Sequence, residues 1–153
     1  MTISDIADEC FQEAGEPSDT SVAAIAYFLR NKVGLLNVRT FSTYSLNSSY
    51  EIVDEDGGSI STEAVSILKT FYRLDRYDYL IRASLASLDS SSVIEVRDDG
   101  SSVKKSDRNQ TIKTLKDLKK DELEELNFLI ASYKIRASSP SSIDGDDTEA
   151  GYR

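Results

Sequence analysis

Two aspartates three residues apart, Asp75 and Asp78, interrupt the apolar stretch "RLDRYDYLIR", with Arg76 and Arg82 close by. Carboxylates at that spacing could share a proton or divide acid and base roles. The rest of the chain gives them nothing to work with, since it contains no His and one Cys. Asp78 and Arg82 are four apart and can pair along one helix face. Asp75, Asp78 and Arg82 therefore read as ion pairs that fix helix packing, because an unpaired charge in so apolar a helix would be costly. Cys10 falls on an apolar stripe and reads as a small core residue with no imidazole to activate it.

Other chemistries are excluded on residue types. Zinc and iron sites built on His and Cys cannot form within one chain, and a Ser-His-Asp triad lacks its base. No GxGxxG or GxxxxGK[ST] phosphate loop is present. The acidic turns "DEDGG" and "DGDD" invite a calcium reading. Counting from Asp54, however, Ser59 stands where an EF-hand needs Gly, and Val65 stands where it needs the bidentate Glu. The short length and absence of Trp argue against a glycosidase-type carboxylate pair. No cofactor is expected, and the chain reads as a non-enzyme.

At 153 residues the chain fits one domain, 39% hydrophobic and 29% charged as in ordinary globular proteins. No apolar run approaches the ~20 residues of a membrane span, and "MTISDIADEC" lacks the basic and apolar regions of a signal peptide. A single cysteine suits a reducing compartment, which makes the sequons at Asn47 and Asn109 chance matches. The net charge of −9 argues against general nucleic-acid affinity. Yet Lys104, Lys105, Arg108, Lys113, Lys116, Lys119 and Lys120 form a basic stretch with a local excess of +5. It reads either as a solvated helix face or as a surface that docks on an acidic neighbour of the same kind.

The elements that must position these groups are mostly helical. Residues 3–14 have helical apolar spacing behind a Thr2–Asp5 capping box and before Gly15 and Pro17. A second helix is expected from a Ser18 or Asp19 cap to about Leu36. Tyr27, Phe28 and Leu35 lie off its main stripe, which predicts cover on more than one side. Residues 40–53 read as extended chain closed by a turn at 54–58. The third helix, about Ser61–Leu88, is apolar around most of its circumference and is expected to be buried, centrally or against another subunit. Residues 91–105 read as a β-hairpin turning at Asp99-Gly100. The fourth helix runs over about 107–137, its seam interrupted by a polar turn at Lys119–Glu122. At ~45 Å it outruns the core of so small a domain, so part of it should meet another chain. The fold class is thus mainly α: a four-helix bundle-like domain over 1–137 with one small hairpin, followed by an extended acidic tail over 138–153.

The N-terminal "EAGEPSDTSVAAIAYFLRNKVGLLN", the Tyr-rich third helix, "SSVIEVRDDGSSVKKSDRN", the long helix reaching "LNFLIASYKIRAS" and the acidic "DGDDTE" tail share an order of elements. That order resembles the head-to-tail adaptor (connector or neck) proteins of tailed bacteriophages. The resemblance covers nearly the whole chain through overall pattern, with no catalytic motif. It implies a non-enzymatic homo-oligomer, commonly a twelve-copy ring, that joins the portal of the head to the tail. DNA would pass through its channel without specific binding. It further implies a virion protein made in the host cytoplasm, with the portal above, tail or neck proteins below, and no membrane contact. The tail has a −3 net charge, Pro140 to keep it extended, and Ile143 and Tyr152 as its large apolar residues. With Asp144, Asp146 and Asp147 it reads as a partner-binding segment, most naturally for the portal. Two alternatives stand beside this reading: another virion neck, tail-completion or baseplate component, and a small nucleic-acid-binding regulatory module using the basic stretch.

Overall fold

Helix α1 (Ile3–Glu13) begins where the sequence signals it. The Thr2 hydroxyl accepts the Asp5 N–H at 3.1 Å, and the Thr2 N–H donates to the Asp5 carboxylate at 2.8 Å. Ile3, Ile6, Ala7 and Cys10 form its buried stripe. Gly15, at φ 77°, turns the chain out of the helix. The structure is a computed structural model and describes residues 1–86, 95–98, 101–104 and 108–138, with side chains over 1–86 and 110–138.

Helix α2 (Val22–Thr40) is capped by Ser21, whose hydroxyl accepts from the Ala24 N–H. Neither expected cap, Ser18 or Asp19, takes that role. Thr20 N–H donates to Pro17 in a turn that delays the helix, and Asp19 is engaged by Arg76. The helix runs past Leu36 to a left-handed cap at Phe41 (φ 56°, ψ 37°). Asn37 fixes the exit, its Nδ2 donating to the Tyr44 carbonyl and its Oδ1 accepting the Tyr44 N–H. Of the off-stripe residues, Phe28 and Leu35 pack partly against the core, but Tyr27 is left exposed.

The extended stretch forms a second, very small hairpin. Strands β1 (Ser45–Leu46) and β2 (Ile52–Val53) pair antiparallel, with Leu46 opposite Ile52. Asn47 shapes the connection by accepting from the Ser49 and Glu51 N–H groups and donating to the Glu51 carboxylate. A bridge between Thr2 and Glu51 ties this hairpin to the start of α1.

Helix α3 (Thr62–Ala86) packs against α1, α2 and α4, which makes it the central element. Its all-round apolarity therefore reflects burial within the chain, where Ala64, Val65, Ile67, Leu68, Thr70, Phe71, Tyr72 and Ile81 are buried. Strands β3 (Glu95–Asp98) and β4 (Ser101–Lys104) pair in the α3–α4 connection with Val96 opposite Val103, the hairpin expected there. Helix α4 (Arg108–Ser138) is continuous, so the polar stretch at Lys119–Glu122 is no break. Lys119 and Glu122 face charges on α3 and Lys120 and Asp121 face solvent, so the backbone has no reason to turn. The molecule is mainly α, with four helices in a bundle-like arrangement.

The shared core draws on α1, α2, the β1–β2 region, the first half of α3 and the second half of α4. On α3 it extends to Leu74, and on α4 it starts at Leu126. Beyond those points α3 continues from Asp75 to Ala86, about 18 Å at 1.5 Å per residue, antiparallel to α4 residues 108–125. Base and arm are therefore distinct regions.

Candidate functional site

The candidate site is the α3–α4 pair and the surfaces it leaves bare. Three ion pairs cross it in antiparallel order: Glu63 with Arg136, Arg73 with Glu122 at 3.1 Å, and Asp78 with Lys119 at 2.6 Å. The paired numbers fall on one side as they rise on the other, so the ladder matches the antiparallel register of the two helices. Three further pairs tie α3 to the N-terminal region. Lys69 reaches Glu9 and Glu13, each at 2.7 Å, and Arg76 grips Asp19 with two nitrogens at 2.8 and 2.9 Å.

These pairs differ in their surroundings. Arg76's hydrogen bonds hold Asp19 below the ordinary aspartate range. Burial alone would lower the Lys69 ammonium, but its bonds to Glu13 and Glu9 raise it above the usual lysine value. Glu122 is buried, and that burial pushes its carboxyl up against the pull of Arg73. The Arg73–Glu122 contact is close but poorly aligned: Arg73 Nε and Glu122 Oε1 are both buried with no hydrogen-bond partner among the described residues. It is an ion pair without the hydrogen bonds that would offset its desolvation.

Of the three residues assigned to structural pairing from sequence, only Asp78 has that role. Its partner is Lys119 rather than Arg82. Asp75 and Arg82 are exposed and enter no ion pair among the described residues. Sequence spacing puts Arg82 within reach of Asp78, but a lysine from the facing helix approaches more directly. Exposed charges also need no partner. Lys119, read as part of an inter-subunit stretch, is thus engaged inside the chain, and Lys120 lies near Glu124 at 3.8 Å. Lys113 and Lys116 are exposed on α4, Lys104 ends β4 and Arg108 starts α4. Lys105 and the tail residues Pro140, Ile143, Asp144, Asp146, Asp147 and Tyr152 lie outside the described residues.

Sequence reasoning missed the polar cluster at the base of α4. Tyr44 and Tyr133 hydroxyls meet at 3.0 Å, 89 positions apart, and the Tyr44 hydroxyl also donates to Ser61 at 3.4 Å. Burial, then the Tyr44 hydrogen bond, pushes the Tyr133 phenol up to about 12, so it stays neutral. Beside it lies an open cavity of about 350 Å³ lined by Ser61, Glu63, Ser132, Tyr133, Arg136 and Ala137. Its ionisable rim groups, Glu63 and Arg136, are spent on each other, and it gathers no nucleophile with a base. Cys10 is buried as expected, and burial followed by the nearby Glu13 pushes its thiol up to about 11. No His/Cys/Asp/Glu cluster fit to hold a metal occurs among the described residues. None of the described helices is long and apolar enough to cross a membrane.

The fold also leaves several large apolar side chains exposed. Tyr27, Val38 and Phe41 on or capping α2, and Leu118, Leu123 and Phe128 on α4, all face outward. Tyr79 and Leu85 do so on the arm part of α3. No protein-family model, no curated protein and no solved structure matches this chain.

Proposed function

We propose that this chain is a non-catalytic assembly subunit, a structural virion protein whose copies form a ring between the portal of a phage head and the tail. The observation that carries the assembly reading is the arm. Two helices leave the shared core together and keep Tyr79, Leu85, Leu118 and Leu123 partly bare. A helix pair this thin cannot cover its own apolar surface, and large exposed apolar groups mark contact surfaces. The placement of that assembly in a phage neck rests on the resemblance in sequence pattern. In this reading the acidic balance of the chain lets DNA pass without counterion-releasing contacts, and the tail over 138–153 engages the portal.

Native mass measurement of the full chain, with electron microscopy of the particle, tests the reading. A closed ring of uniform copy number is the expected result. A stable monomer at all accessible concentrations would overturn it. Tight, salt-sensitive DNA binding by that monomer would favour a regulatory module using Lys113 and Lys116.

A further inference from the structure

The outward side of α2 presents a regular seam that the fold does not use. Tyr27, Asn31, Gly34, Val38 and Phe41 recur at alternating four- and three-residue spacing, the pattern of a helix that packs lengthwise on another. Tyr27 is 69% exposed, Val38 72% and Phe41 82%. At the middle of the seam, a Cβ on Gly34 would meet nothing within 4 Å.

Two backbone outliers border it. Phe41 and Tyr50 both lie in the left-handed region, at φ 56° and 59°. Bulky residues are disfavoured there relative to Gly or Asn, and such strain gathers at functional surfaces. Neither ring is buried in return. Instead each has a cation nearby: Lys134 Nζ lies 4.3 Å from the Phe41 centroid, and the Arg30 guanidinium 5.9 Å from that of Tyr50. No acidic residue occurs in α2, and Arg30 and Arg39 flank the seam. The surface is therefore apolar, cationic and notched.

We propose that this seam docks on the outward face of α4 from a second copy of the chain. There Asp121, Glu124, Glu125 and Phe128 share the side turned away from the buried Glu122, Leu126 and Ile130. Phe128 is 70% exposed, and three carboxylates lie within two turns of it. The face thus supplies the negative charge that α2 lacks and an aromatic ring for the Gly34 notch. The two surfaces belong to different helices, so copies can join head to tail, and a ring closes when the α2 seam of each copy meets the α4 face of the next. A helix suits the seam, because its alternating four- and three-residue spacing is that of a surface on which another helix packs lengthwise.

This inference rests on the assembly reading and names the surfaces it would use. In the full-length protein, Val38→Glu and Phe128→Glu are each expected to weaken self-association at least tenfold by sedimentation. Their melting temperature should be unchanged at concentrations low enough to keep the chain monomeric, because both positions are exposed in the single chain. Mixing Gly34→Cys chains with Phe128→Cys chains should give a disulfide-linked mixed dimer, since the buried Cys10 does not compete. If the chain assembles but neither glutamate variant weakens it, the docking surfaces are wrong while the assembly reading stands. Cross-linking of Gly34→Cys chains only with each other would also overturn the pairing. So would an intrachain link in a Gly34→Cys/Tyr152→Cys chain, because its own tail would then fill the seam. A wild-type chain that never associates defeats the assembly reading itself.

Discussion

The base and the arm are built from the same two long helices but held by different forces. In the base, α3 meets three other elements, and Ile67 and Leu68 are fully buried. In the arm its main partner is α4, with the Arg76–Asp19 pair as a tie to the N-terminal region. The seam carries the buried Ile81 and Ile112 and the Asp78–Lys119 pair, and Arg73–Glu122 lies where it joins the base. Two helices bury one stripe each, so charged residues reach the seam as a matter of geometry. Hydrophobic burial fixes the base, while charge order helps fix the register of the arm.

That contrast breaks most sharply under truncation of core side chains. Leu68→Ala in the base should cost about 3–5 kcal/mol, because surrounding elements cannot collapse into the hole. Ile112→Ala in the arm should cost about 2 kcal/mol, the low end for such truncations, since a two-helix seam can relax. Denaturant unfolding measures both. Hydrogen exchange separates them further: the Leu68 variant should lose protection throughout, the Ile112 variant in 75–86 and 108–125. Equal, global losses would mean that the arm is no separate region.

A smaller, pH-dependent effect is expected at Glu122. Its carboxyl value in the folded state lies above the unfolded one, so the cost of its charge is absent below about pH 4 and sets in as pH rises through the folded value. Glu122→Gln should therefore match wild type in acid and equal or exceed its stability at neutral pH. A variant that is less stable at pH 7 but not at pH 4 would show that the Arg73 pair is net stabilising. Asp19 has the opposite sign: its depressed value contributes stability at neutral pH that fades as pH falls through that value.

The smallest effects belong to the exposed charges. Arg82→Met should change stability by no more than about 0.5 kcal/mol, as at other exposed sites. The coupling of Asp78 with Lys119, whose side chains are 42% and 37% exposed, should be about 0.5 kcal/mol in a double-mutant cycle. Coupling several times larger would mean that the arm is buried in an assembly.

The sequence by itself determined what depends on neighbours along the chain. The Thr2–Asp5 cap, the buried stripe of α1, the apolar helix α3 and the pairing of β3 with β4 all follow from period, capping and turn chemistry. Its limits appear wherever a partner comes from far away. Asp78 pairs with Lys119 rather than Arg82 because α4 lies antiparallel to α3, which local spacing does not encode. The Lys119–Glu122 stretch looked like a break because polar residues in a seam are indistinguishable from a turn until the opposing Arg73 and Asp78 are known. Tyr44 and Tyr133, 89 positions apart, meet for the same reason. Of the outward seam of α2, the sequence pattern marks only Tyr27, as an apolar residue off the main stripe. That it faces away from the core was settled when α3 occupied the other side. Local periodicity writes the helices; which of their faces remain for other chains is a property of how they pack.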